Sequence, residues 1–166
     1  MTKINYILPM KTKHILFLVY PGFELLDLSG PVSVFSTANS LYKNSLLSSA
    51  SQNNRKQGRS SHDSLPYEIH TLSIEGGLIP SSSLVEVNSV SVSSFKLSKQ
   101  LSKQTTILVV GADEGSITKA SADLNMQRWL KEHCHQVERF GSICSGTFIL
   151  AVAGLLTRRT VTTHWA

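Results

Sequence analysis

Apolar residues in this chain fall in short clusters, and their spacing changes from one segment to the next. Residues 14–20 (HILFLVY) form an unbroken apolar run halted by Pro21-Gly22, the pattern of a parallel strand buried on both faces. Pro31 suits the first turn of a helix, and Val32, Phe35, Ala38 and Leu41 follow at helical spacing. Residues 42–64 then turn polar, rich in Ser, Asn, Gln and basic side chains around Gly58. They are expected to form a mobile low-complexity loop outside the core. Residues 67–74 alternate and predict a strand closed by Gly76-Gly77. Residues 84–92 set Val85 and Val87 against Glu86 and Asn88, as a strand or an extended arm.

The second half repeats the scheme. Residues 106–110 are a buried-strand candidate ending at Gly111. Met126, Trp129, Leu130, His133 and Val137 share one helical face and predict a helix over 122–136. Residues 139–144 read as a strand, 147–156 as an apolar helix and 160–163 as the start of another strand. Strand and helix alternate throughout, which predicts an α/β fold with a doubly wound parallel sheet. In such sheets the ligand site lies beyond the C-terminal ends of the strands. Asp27, Gly111, Cys144 and His164 each follow a strand candidate, so all four are expected at that edge.

A length of 166 residues suits one domain with a real core. The apolar runs are far too short to span a bilayer. Lysines precede the first apolar run, but Pro21-Gly22, Glu24 and Asp27 follow it with no small-residue cleavage site. A signal peptide is therefore rejected and a cytoplasmic protein is expected, with Met10 as an alternative start. The net charge of +5 is scattered over Arg55, Lys56, Arg59, Lys96, Lys99, Lys103, Arg158 and Arg159. No helix-turn-helix pattern accompanies it, so direct contact with DNA is not expected. Neither a membrane partner nor a cofactor is expected. The two cysteines, Cys134 and Cys144, give no disulfide framework. His133-Cys134-His135 lies on a predicted helix, where neighbours point about 100° apart and cannot converge on one ion. No metal spacing appears elsewhere, and no metal site is expected.

The segment over residues 139–165, RFGSICSGTFILAVAGLLTRRTVTTHW, carries the chemistry. A strand ends at Cys144, and Ser145-Gly146 turns at once into an apolar helix. This is the local pattern of a nucleophile elbow with cysteine in place of serine. The helix N-terminus favours the thiolate, and the N–H of Ser145 stands where an oxyanion donor is needed.

This segment resembles the ThiJ/PfpI superfamily of class I glutamine-amidotransferase-like domains. The likeness is greatest to the N-terminal domain of AraC-type transcriptional regulators and to the isocyanide hydratases. It extends to YPGFELLDLSGPVSVF (residues 20–35) and TILVVGADEG (residues 106–115), and so covers most of the chain apart from residues 42–64. The resemblance implies a flavodoxin-like domain over residues 13–166. It implies that Asp27 sits beside Cys144, with Glu24 as the competing acid, and that Gly111 and Ala112 match a Gly-Gly turn contributing oxyanion N–H groups. Ala112 departs from that pattern. His164 matches a histidine that pairs with the cysteine.

Relatives continue past this His-Trp pair with further strands and a closing helix. The resemblance therefore implies that the C-terminal elements are missing, that His164 lies on an untethered end, and that the isolated chain is poorly stable or self-associates. It implies a homo-oligomer with a small-molecule ligand, serving as the sensing half of a regulator that touches DNA only through a domain absent here. The alternative it implies is a cysteine-dependent hydratase or hydrolase.

Overall fold

Six apolar residues in a row at the centre of the sheet decide the rest of the architecture. The computed structural model describes residues 11–52 and 64–164. Strand β1 (Lys13–Leu18) is followed by helix α1 (Leu25–Gln52), and then by β2 (Tyr67–Ser73), β3 (Gly77–Pro80) and β4 (Glu86–Ser91). A short helix α2 (Lys99–Ser102) leads to β5 (Thr105–Val109). Helices α3 (Glu114–Ala122) and α4 (Leu124–His133) precede β6 (Arg139–Ser142), a 3-10 turn over Cys144–Gly146 and helix α5 (Thr147–Val152). The six strands lie in the order β3-β4-β2-β1-β5-β6, parallel except for β3. This is the predicted α/β parallel sheet.

Strand β1 pairs with β2 on one side and β5 on the other. Phe17 and Val19 are fully buried, and Leu16 and Leu18 nearly so, because helices cover both faces. The crossovers β1–α1–β2 and β5–α3–α4–β6 run in opposite directions from the centre. Right-handed connections then put α1 on one face and α3 and α4 on the other. Among the described residues no helix is long and apolar enough to cross a membrane.

The structure corrects several expectations. Helix α1 begins at Leu25, so Pro31 is inside it rather than in its first turn. Pro31 has no N–H to give to the carbonyl of Asp27, which leaves that first turn short of one helical bond. The helix also continues through Gln52, so residues 42–52 of the expected loop are helical; residues 53–63 lie outside the described residues. Extending a nucleated helix costs less than starting one. The serines that would compete with it turn inward, Ser40 and Ser48 donating to the carbonyls of Ser36 and Asn44. Asn39 pins the helix to β2 through both main-chain groups of Tyr67 (2.8 and 3.0 Å).

The predicted helix over 122–136 is α4, a little shorter at both ends: it starts just after Asp123, whose carboxylate caps it by accepting from the N–H groups of Asn125 and Met126, and its last residue is His133. The preceding α3 escapes the pattern because only Ile117 and Ala120 of it are buried. Helix α5 stops at Val152 rather than reaching residue 156. Gly154, at φ +74°, takes the left-handed conformation that ends it. Residues 160–163 form no strand.

Candidate active site

The C-terminal edge of β1, β5 and β6 is tied together by main-chain bonds before any side chain is considered. After β1, the Pro21-Gly22 turn returns the chain so that Glu24 N donates to the carbonyl of Gly111 (2.8 Å). The buried Tyr20 hydroxyl donates to the carbonyl of Val110 (2.8 Å). Ile143 N donates to Val109 O (2.9 Å), which carries the end of β6 alongside β5. These bonds hold the exits of three strands in one place.

Cys144 stands on the turn that follows. Its φ of +52° is left-handed, a conformation that costs a non-glycine residue about 1–3 kcal/mol. The surroundings over-determine it. Gly146 N donates to Ile143 O, Thr163 Oγ1 donates to Cys144 O, and the Ser142 and Thr147 hydroxyls share a 2.7 Å bond. The strain lifts the partly exposed side chain off the line of the strand, as an elbow does. Gly146 makes the turn possible: a Cβ there would lie 2.4 Å from Val109 O and 2.7 Å from Val110 O.

Asp27 enters from the first turn of α1. Its Oδ2 accepts from Gly111 N (3.1 Å), and the carboxyl and Cys144 both pack against Gly111. A Cβ built on Gly111 would lie 2.6 Å from Asp27 Oδ2, 2.9 Å from Cys144 Cβ and 2.9 Å from Ser145 N. Only glycine fits at this crossing. Glu24, the competing acid, is turned elsewhere: it accepts from Leu26 N and from the Ser82 hydroxyl.

The oxyanion groups are differently disposed. Gly111 N–H is given to Asp27, and Ala112 N–H is given to Ser145 Oγ (3.0 Å), while that hydroxyl donates back to Ala112 O (2.7 Å). The Ser145 side chain thus locks the β5 loop to the elbow. Its main-chain N–H remains the donor nearest the cysteine's own turn. His164 is exposed and lines the same cleft as Cys144. The segment before it is not untethered: Thr147 Oγ1 donates to Thr162 O (3.2 Å), and Thr163 Oγ1 to Cys144 O (3.1 Å). Trp165 lies outside the described residues.

The cleft measures about 760 Å³. Ile117, Phe148 and Val152 supply apolar walls, Asp113 and Glu114 an acidic rim, and Cys144 and Ser145 the floor. Tyr20, Phe148 and Ile117 were not singled out from the sequence. Tyr20 ends a strand like any core residue. The other two reach the cleft only through the packing of α3 against α5.

Burial pushes the Asp27 carboxyl above its ordinary range; the Gly111 N–H pulls it down, Glu24 pushes it up, and Cys144 and His164 pull it down. A native value above the unfolded one means that folding favours the protonated acid. The penalty is absent below the unfolded value of about 3.9 and develops as pH rises through the raised native value. Asp27→Asn is therefore expected to be more stable than the parent at pH 7, with the difference fading as pH falls to the acid range. Urea melts at both pH values check this, and a variant no more stable at neutral pH would show the carboxylate to be well solvated.

A parallel sheet with a cysteine on a strained strand-to-helix turn, and a carboxyl from the first helix against it, defines an α/β protein of the cysteine-elbow class. The chain belongs to the DJ-1/PfpI family, whose sequence profile matches residues 13–166. It is 29% identical over 157 residues to an uncharacterized protein in the cpoL 5′ region of Streptomyces lividans, covering 91% of this chain and 86% of that one. Its fold is similar to that of a ThiJ/PfpI family protein from Pseudomonas syringae (TM-score 0.65, 19% identity, 92% of this chain and 50% of that one). It is also similar to an AraC family transcriptional regulator from Pseudomonas putida (TM-score 0.58, 18% identity, 89% and 64%). Drosophila melanogaster DJ-1beta shares the fold as well (TM-score 0.58, 15% identity, 87% and 62%). The chain thus spans between half and two-thirds of these solved structures.

Proposed function

We propose that this domain senses a small molecule for an AraC-type transcriptional regulator, binding it in the cleft over Cys144. The observation that carries the reading is the cleft itself. It is large enough for a small organic ligand, walled by Ile117, Phe148 and Val152, and has one reactive side chain at its floor. The resemblance of the motifs to AraC-type regulators, and a fold shared with one of them, support it. Contact with DNA belongs to a separate domain, because the basic residues here are dispersed. The place of work is the cytoplasm, where free thiols such as Cys134 and Cys144 stay reduced. Self-association through the family's dimer habit completes the proposal.

A second reading is favoured by one arrangement, the Asp27 carboxyl against Cys144. A protonated Asp27 can hand its proton to a substrate while Cys144 attacks, with His164 and the Ser145 N–H on the same cleft. That is the constellation of a cysteine-dependent hydratase or hydrolase of small substrates.

A thermal-shift screen of small carbonyl and nitrile compounds, followed by turnover assays on the hits, separates the two. For a sensor, Cys144→Ala keeps the shift, Phe148→Asp loses it, and no product accumulates. Catalytic turnover abolished by Cys144→Ala would establish the enzyme. Hits whose shift survives Phe148→Asp would show that the cleft is not the binding site.

A further inference from the structure

Strands β1 and β2 bring together, at their N-terminal ends, three side chains that lie far apart in the chain. Their register sets His14 beside Glu68 and Leu16 beside His70. Alternation along each strand then puts His14, Glu68 and His70 on one face of the sheet. His14 Nδ1 lies 3.3 Å from His70 Nε2 and 3.5 Å from Glu68 Oε2, and His70 Nε2 lies 3.4 Å from Glu68 Oε1. The whole group sits at the edge opposite to Cys144, because β1 runs from His14 toward the site.

We propose that His14, Glu68 and His70 form a binding site for a divalent transition-metal ion of the zinc type. The spacing is what such an ion needs: bonds of about 2.0–2.1 Å in a tetrahedron set neighbouring donors about 3.3–3.4 Å apart. The donor set, two imidazole nitrogens and one carboxylate, suits zinc and its neighbours and not the oxygen-seeking calcium or magnesium. The two imidazoles are largely enclosed, their side chains 15% and 20% exposed, and the Phe95 ring packs edge-on against His70. Two ligands are therefore held before any ion arrives. Glu68, 57% exposed, stands at the mouth, with each carboxylate oxygen turned to one imidazole. Water completes the shell from that open side.

The facing ring nitrogens can share one N–H, or turn both lone pairs to one cation, and a zinc-type ion takes the second arrangement while neutralising Glu68 as well. Sequence spacing gives no hint of this site, since strand pairing and not local sequence unites His14 with His70. The only local trace is the Glu-x-His of β2.

Titration of the full chain with zinc against a chromophoric chelator, and with cobalt by its visible absorption, tests the proposal. One ion per chain is expected, and it should remain in Cys144→Ser, with no thiolate-to-cobalt charge-transfer band. His14→Ala and His70→Ala should each weaken binding by more than about tenfold, since loss of groups that merely orient metal ligands already costs about 10–100-fold. His135→Ala should change nothing. Glu68→Gln, on the exposed side, keeps the test open if a histidine variant fails to fold, and it too should weaken binding. Binding lost in Cys144→Ser, or unchanged in both His70→Ala and Glu68→Gln, would overturn the assignment and leave a hydrogen-bonded cluster that shares a proton.

Discussion

Alkylation of the native protein at about pH 8 is expected to modify Cys144 and spare Cys134. Cys134 is 1% exposed at the end of α4, and burial pushes its thiol up to about 12, well above the ordinary range of a thiol. A shift of that size leaves roughly a thousandfold less thiolate at any pH below both values, and the thiolate is the nucleophile. Enclosure among core residues then blocks the reagent as well. Cys144 is partly exposed on its turn and opens onto the cleft. Peptide mapping after brief iodoacetamide treatment should recover the label on Cys144 alone, with Cys134 appearing only after denaturation. Comparable labelling of both in the folded protein would mean that the α4 end opens readily, or that the elbow is not where the cysteine is presented. The contrast also serves the functional question, because a single labelled thiol lets candidate ligands be scored by protection.

The second large effect comes from one substitution made at two glycines. Gly146→Ala places a methyl group 2.4 Å from Val109 O and 2.7 Å from Val110 O. Both obstacles are main-chain atoms of the central sheet, with no flexible side chain to swing aside. The elbow must therefore move off β5, at a cost of about 1–3 kcal/mol or more. Such a loss lowers the melting temperature of a domain this size by about 2–4 °C per kcal/mol. It also pulls Cys144 away from Asp27, so Cys144 protection by a cleft ligand should vanish along with the stability. Gly30→Ala should do the reverse. Gly30 lies in α1, and a Cβ there meets nothing within 4 Å. Replacing glycine by alanine in a helix is worth about 0.5–1 kcal/mol. Thermal melts of the two variants should move in opposite directions. A stable Gly146→Ala protein would show that α5 is not seated on β5 as described.

Much of the fold was legible along the chain because parallel strands buried on both faces have few disguises. Residues 14–20 and 106–110 were each found near their true limits, since an apolar run cut by Gly or Pro has one good explanation in an alternating α/β pattern. The elbow was legible for a different reason. Cysteine, a small pair and an apolar helix must be adjacent in sequence to make that turn, so the motif survives without tertiary information.

Elements that depend on neighbours were not legible. The helical state of residues 42–52 rests on a nucleus laid down from Leu25 and anchored to Tyr67 through Asn39, and a polar composition hides it. Helix α3 contributes only Ile117 and Ala120 to the core, too few to set a period. Strand β3 is an edge strand that among the described residues pairs only with β4; it begins at Gly77, which was read as closing β2, and residues 78–80 were assigned no element.

What the sequence by itself determined is the class of fold, the identity of the family and the cysteine turn, all encoded in residues close together along the chain. Tertiary structure alone decided how the site is wired and what else is assembled. It chose Asp27 over Glu24, gave the N–H groups of Gly111 and Ala112 to Asp27 and Ser145, and tied residues 162–163 back to the elbow. It also closed His14, Glu68 and His70 into one group. The physical reason is the same in each case. A hydrogen bond or a ligand set joins atoms a few ångströms apart, and the register of a sheet can bring residues 50 or 80 positions apart to that distance while the local sequence records nothing of it.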